Sequence, residues 1–195
     1  IDFAKKKYGS DNFEFLKNED LKIEKDNLFN IVYSRDTILH QTKPIKFTEK
    51  LIELSRNFVL LRLRTRDNGL TEYDINYSCQ MHYDKFWMPY IVININELID
   101  FFKKNIFVKK IHINKSYIVL GGQNYRFLPK DLYFTKSGTA ETTILLELDR
   151  ENNNTNELII TESSELEGHN YLNKKRLTFL IYRILNKLRF WMNRI

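Results

Sequence analysis

An α+β fold is predicted for this 195-residue chain by three observations. A capped amphipathic helix stands near residues 95–104. Short β-branched segments of alternating polarity follow between 111 and 161, and a long apolar stripe at helical spacing closes the sequence. The expected order is an N-terminal helical region, a basic helix-plus-β-hairpin middle, then strands and a C-terminal amphipathic helix. The corresponding units are 1–92, 93–136 and 137–195.

The elements are justified in order. Phe47 to Arg66 carries apolar residues at 47, 51, 52, 54, 58, 59, 60, 61 and 63 with no Gly or Pro. It is read as one or two helices closed by the turn Asp67-Asn68-Gly69. Leu70 to Met88 is aromatic and irregular and is read as loop with short helix. Asn94 followed by Glu97 is a capping-box arrangement opening a helix over Ile95–Lys104, with Lys103 and Lys104 where the helix dipole favours cations. Ile111-His112-Ile113 and Tyr117-Ile118-Val119-Leu120 are β-rich, and Gly121-Gly122 is compatible with a hairpin. Asn124 to Thr135 continues as strand broken at Pro129-Lys130-Asp131. Thr142–Leu148 and Glu157–Thr161 are two further strands around an Asn-rich turn. In the last segment, Leu177, Leu180, Ile181, Ile184, Leu185, Leu188 and Trp191 form a helical stripe, with Arg176, Arg183, Lys187 and Arg194 on its basic side.

The charge is segregated. Lys43 to Arg66 holds seven basic and two acidic residues, and Phe101 to Lys136 holds eight basic residues against Asp131 alone. Ser137 to Gly168 inverts this with eight acidic residues against Arg150, and Leu172 to Ile195 has seven basic residues and no carboxylate. A surface charged only for solubility would intersperse the signs. Three basic segments around an acidic one read as phosphate-contacting faces plus a face turned away from nucleic acid.

Catalytic and metal readings find little support. The four histidines, His40, His82, His112 and His169, include no pair at i, i+3 or i, i+4. Cys79 and His82 are three apart in an unpatterned loop with nothing to orient the imidazole. Glu147 and Asp149 alternate with Leu146 and Leu148, as on a strand with one wet face. Gly121-Gly122 is too short to cradle a phosphate. A lone cysteine excludes an intrachain disulfide. No stretch approaches the roughly 18 apolar residues of a membrane span. The expectation is therefore no enzyme, no catalytic residue, no cofactor and no metal. A C-terminal helix bearing Phe190 and Trp191 could also lie on an anionic membrane; packing on the preceding strands with its basic side on RNA is preferred, and a membrane partner is not expected.

Residue usage rich in Lys, Asn, Ile, Phe and Tyr, with only Ala4 and Ala140 as alanines, points to a gene in a small A/T-rich genome such as a mitochondrial one. The start at Ile1, with no Met before Met81, fits a processed end, a trimmed one or a non-standard start codon.

The middle segment carries a resemblance. Asn96-Glu97-Leu98-Ile99-Asp100 is followed by Ile113-Asn114-Lys115-Ser116-Tyr117-Ile118, and then by Asn124-Tyr125-Arg126-Phe127-Leu128-Pro129-Lys130-Asp131-Leu132. Over about Asn94 to Thr135 this resembles the RNA-binding domain of the ribosomal protein S-four family. Glu97 falls in the family's helix, Ile113-Asn114 on its apolar-Asn pair, and Tyr125, Phe127, Pro129 and Asp131 on its closing turn. Departures are the missing Arg-Leu-Asp triplet near Met81–Asp84 and Lys115 in place of a glycine. The resemblance implies a structural constituent of the small ribosomal subunit, bound to its ribosomal RNA and to neighbouring ribosomal proteins, near the messenger entry side. The matrix of the mitochondrion is the implied location, with the cytoplasm as alternative. The RNA-binding residues expected are Lys103, Lys104, Lys109, Lys110, Asn114, Lys115, Tyr125, Arg126 and Lys130, on one convex basic surface that tracks RNA by shape. The alternatives are a DNA-binding specificity domain of a defence system, reading base edges in the major groove, and an accessory subunit of a membrane complex.

Overall fold

The computed structural model describes residues 2–9, 28–82, 86–120, 126–151 and 159–164. Its architecture is α+β. Helix α1 (Asp2–Tyr8) precedes strand β1 (Phe29–Arg35), a 3-10 turn at Ile38–His40, helix α2 (Pro44–Leu54) and strand β2 (Ser55–Arg66). Short strands β3 (Cys79–Met81), β4 (Trp87–Pro89) and β5 (Ile93–Asn94) lead to helix α3 (Ile95–Lys104) and strand β6 (Val108–Tyr117). After β7 (Arg126–Phe127) come 3-10 turns at Lys130–Tyr133 and Thr135–Ser137, then strands β8 (Ala140–Leu148) and β9 (Ile159–Ser164).

The main sheet runs β1-β2-β8-β6-β9, with β5 pairing the far end of β2. Strand β8 is antiparallel to both β2 and β6, while β1 runs parallel to β2 and β9 parallel to β6. Five strands, β5 included, thus point one way and β8 runs against them. The parallel pair β1/β2 is joined through α2, as a parallel connection requires. A smaller sheet, β4-β3-β7, lies apart.

The core follows from alternation. Val59, Leu61 and Leu63 on β2, Ile111 and Ile113 on β6, and Ile144 and Leu146 on β8 face one side and are buried. Helices α2 and α3 cover that side with Leu51, Ile52, Ile95, Leu98 and Phe102. Burying a residue of the Leu98 or Phe102 type contributes roughly 1.5–3 kcal/mol. A second cluster joins Leu39, Tyr90, Val92, Leu120, Leu128 and Leu132 beneath the small sheet.

Helix α3 starts as its cap predicts. Asn94 Oδ1 accepts the Asn96 N–H at 2.9 Å. The second arm of the capping box is extended through a hydroxyl: the Asn94 N–H donates to Thr71 Oγ1 at 2.9 Å, and Thr71 donates to Glu97 Oε2 at 2.5 Å. Tyr73 donates to the other Glu97 oxygen, and its phenol is pushed well above its usual range by burial and by that carboxylate.

Three expectations are corrected. Helix ends at Leu54, and 55–66 is a central strand. Val59, Leu61, Leu63 and Thr65 are buried in alternation with half-buried Leu60, Arg62 and Arg64, the period of a strand. Residues 28–92 are accordingly strand-rich rather than mostly helical among those described. The middle segment is also no helix-plus-hairpin: Val108–Tyr117 is one strand whose neighbours are β8 and β9, and Arg126–Phe127 pairs with β3. Pairing with β8 gives β6 nine partner positions and β9 covers its other edge, which a local hairpin could not match. Strands are found at Ala140–Leu148 and Ile159–Ser164, close to the expected positions. Gly121-Gly122 and the C-terminal helix expected over 177–191 lie outside the described residues.

Candidate nucleic-acid interface

The predicted phosphate contacts separate into two sets at opposite ends of β6. At one end, α3 stops at Asn105, whose backbone N–H bonds the Phe102 carbonyl and whose side chain accepts the Phe107 N–H at 3.0 Å. This turn sends the chain directly into β6. Lys103 and Lys104, exposed in the last helical turn, and Lys109 and Lys110, at the strand's start, therefore flank a single turn. Five residues of chain cannot hold Lys104 and Lys109 more than about 18 Å apart. The ladder with β8 shifts register between Val108 and Lys110, so Lys109 is an extra residue there. Bulges of this kind re-aim side chains at sheet ends.

The counter-charges at this corner are weakly held. Lys103 lies 3.8 Å from Asp100, with both side chains at least half exposed. Lys110 lies 3.0 Å from Glu147. Hydrogen bonds from Lys110 and then His112 hold the Glu147 carboxyl below its usual range. Exposed pairs of this kind are worth about 0–1 kcal/mol, so a phosphate can replace the carboxylate at small cost. Arg150, nearby, is committed elsewhere. It lies 4.2 Å over the Phe107 ring and donates to the Ser55 and Ile52 carbonyls at 3.0 and 2.5 Å, closing the C-terminus of α2.

At the other end the expected contacts fare differently. Lys115 is not on the surface: it is 4% exposed, and its ammonium lies 2.9 Å from Asp67 Oδ1 and 2.5 Å from Glu162 Oε1. Tyr117 donates to Asp67 Oδ2 at 2.8 Å. Burial pulls the Lys115 pKa down, but the hydrogen bonds to Glu162 and Asp67 outweigh it and the net shift is upward. The physical reason is register, since Lys115 follows Ile111 and Ile113 on the core face of β6. Arg126 is half-buried, donates to Gln80 Oε1 at 3.2 Å and stacks 4.5 Å over Tyr90. Lys130 is exposed on a 3-10 turn, and Asn114, on the open face of the sheet, donates to Ser163 Oγ at 3.0 Å. Tyr125 lies outside the described residues. One convex basic surface is therefore not formed; the length of β6, about 30 Å, intervenes.

The basic segment 43–66 is likewise partly consumed. Arg62 and Arg64 both pair with Glu141 across β8, and Arg66, 2% exposed, pairs with Asp131 while donating to Asn68 O at 2.6 Å and Leu70 O at 3.2 Å. Lys46, Lys50 and Arg56 remain exposed.

Two arrangements invite a chemical reading. His112 lies with Nε2 2.7 Å from Glu147 Oε1 and Nδ1 2.7 Å from Thr161 Oγ1. The order carboxylate, imidazole, hydroxyl is that of a nucleophile relay. Here it is a cross-strand link on a flat face. Strand β6 is paired on both edges, so its neighbouring amides serve the ladder rather than a developing oxyanion. Cys79 is buried in β3, with its thiol pushed up by that burial, and His82 stacks on Phe86 at 4.8 Å. Such a thiol is a poor nucleophile. Among the described residues no group of three or more His, Cys, Asp or Glu is placed to hold a metal ion.

No known family model matches the chain, and no curated protein matches it.

The buried polar network escaped sequence reasoning, although one signal for it was present. Ile111, Ile113 and Lys115 stand at i, i+2 and i+4, which puts a lysine on the core face of any strand they form. Nothing local marks Asp67 or Glu162 as its partners.

Proposed function

We propose that this protein is a structural RNA-binding constituent of the small subunit of a ribosome, in the mitochondrion, that contacts ribosomal RNA by charge and shape. One observation carries the reading: Lys103 and Lys104 end α3 and Lys109 and Lys110 open β6 across a single turn, with Lys103 beside the exposed Asp100 and Lys110 beside the half-buried Glu147. Four flexible ammonium groups around a turn contact phosphates without reading bases. The order of residues over 94–135 supports the small ribosomal subunit as the particle, through its resemblance to the S-four family. That support is from residue order alone, since β6 and β7 do not pair as a hairpin. Neighbouring ribosomal proteins would meet the acidic stretch from 137 to 168.

The test is binding of the full chain to a structured small-subunit RNA fragment across a salt series. Four neutralised phosphates give a log–log slope of roughly −3 to −4. A flat dependence overturns the reading. Preference for one duplex DNA sequence would favour a specificity domain instead, and preference for anionic vesicles would favour a membrane accessory subunit.

A further inference from the structure

The main sheet has a second face that no described helix covers, and the strand register sorts its side chains into rows. Phe58 and Lys110 share one row with Glu147 between them. Tyr33 and His112 stand in the next, Arg35 and Arg62 in the third, and Arg64 faces Glu141 beyond them. Two rings are thus set among cations, Tyr33 at 56% and Phe58 at 37% exposure. They lie diagonally on neighbouring strands, roughly 8 Å apart. The carboxylates do not balance the cations. Glu141 answers both Arg62 and Arg64, and Glu147 is shared by Lys110 and His112. Arg35 lies 3.5 Å from Asp36 in an exposed pair, which holds it weakly.

We propose that this face binds an unpaired stretch of RNA, with bases stacked on Phe58 and Tyr33 and phosphates held by Lys110 at one end and by Arg35 and Arg62 at the other. Three arguments select that ligand. Exposed rings among cations suit a single strand, whose bases offer free π-faces; a duplex hides them. The ring spacing is roughly twice the ~3.4 Å rise of a stacked duplex, a gap that splayed bases can span. Lys110 belongs both to this face and to the lysine corner, so the two surfaces are continuous. From Lys110 over Phe58 and Tyr33 to Arg35 the path is about 25 Å. A protein partner is disfavoured, because Glu147, Lys110 and His112 interrupt the apolar side chains in their rows. The proposal rests on the RNA-binding reading and adds an unpaired segment to its ligand.

The experiment irradiates the full chain with an oligouridylate of about eight nucleotides carrying thiouridine, and maps the adducts by mass spectrometry. Adducts on the β1 and β2 peptides that hold Tyr33 and Phe58 support the proposal. Adducts confined to other peptides, or none, overturn it. Affinity for the same oligouridylate is the second readout. Tyr33→Leu and Phe58→Leu keep an apolar side chain at exposed positions, so the melting midpoint should hold. Each should weaken binding at least roughly fivefold, by a factor that is the same at every salt concentration. Trp87→Leu, 45% exposed on the separate small sheet, should change little. Unchanged affinity in both sheet variants, or an equal loss in Trp87→Leu, overturns the proposal. A structured RNA fragment that still binds with its salt dependence while the oligouridylate fails these tests would strike this inference alone. Loss of the salt dependence would strike the lysine corner, so the two failures are distinguishable.

Discussion

The ammonium of Lys115 lies 2.9 Å from Asp67 Oδ1 with its side chain only 5% exposed, and this pair ties the middle of the sheet to the turn that follows β2. Glu162 completes the link from the outer strand β9. A lysine expected to touch RNA is instead a structural cation. Lys115→Met removes the charge while keeping most of the volume, and leaves two carboxylates without their partner. The expected loss is on the order of 3 kcal/mol, read as a lower denaturant midpoint. RNA affinity per folded molecule should stay unchanged; a selective loss of affinity at full stability would put Lys115 back among the RNA contacts.

The turn itself makes the second prediction. Gly69 has φ 81°, and a Cβ there would sit 2.1 Å from Arg66 Nη2 and 3.0 Å from Asp131 Oδ2. Gly69→Ala therefore combines left-handed strain with displacement of a buried guanidinium. Strain alone costs roughly 1–2 kcal/mol, and the total should exceed that in a thermal or denaturant melt. Gly138, at φ 62° with Asp67 Cβ 2.7 Å from its would-be Cβ, should behave alike. Wild-type stability in both variants would contradict the packing described around Arg66 and Asp67.

The lysine corner gives the third. Changing Lys103, Lys104, Lys109 and Lys110 together to Ala should flatten the salt dependence of RNA binding by roughly three units of log–log slope. Folding should survive, since Lys103 and Lys104 are exposed and Lys110 is partly so. Changing Lys130 and Lys136, at the other end of β6, should leave the slope nearly as it was. Equal losses from the two sets would mean that RNA runs along the whole strand.

The fourth concerns acid. His40 donates Nδ1–H to the Pro89 carbonyl at 2.8 Å and packs edge-on against Tyr90. Burial lowers its pKa from 6.5, only partly offset by that hydrogen bond. A depressed folded pKa means that the stabilisation is complete above pH 6.5 and declines as pH falls toward the folded value. Glu147 adds a lower window: its carboxyl is depressed from 4.5, so its contribution is present above that pH and lost as the pH falls through the folded pKa. His40→Gln should remove the first decline and leave the second. Stability curves between pH 7 and 3 for parent and variant check both.

Much of the middle of the fold was legible locally. Helix α3 was readable because Asn94 caps it and its apolar residues keep helical spacing up to Lys104. Strand β8 was readable from the alternation of Ile144 and Leu146 with Leu145 and Glu147. Strand β2 was not, because Phe58-Val59-Leu60-Leu61 is apolar on both faces and satisfies either period. Only the pairing with β1 and β8 decides it, and those partners lie far away in sequence. The candidate site was legible to the same extent. Charge segregation located the lysines, but register divided them, sending Lys115 inward while Lys109 and Lys110 stayed at the corner. Arg62, Arg64 and Arg66 look identical in sequence to free cations; their carboxylates, Glu141 and Asp131, are distant along the chain.

The most direct test of the central claim is sedimentation of a native extract at moderate salt, with this chain followed across the gradient by mass spectrometry. The account predicts co-migration with the small ribosomal subunit that survives detergent and is lost after ribonuclease treatment. Migration as free protein, or recovery in a membrane fraction, would contradict it.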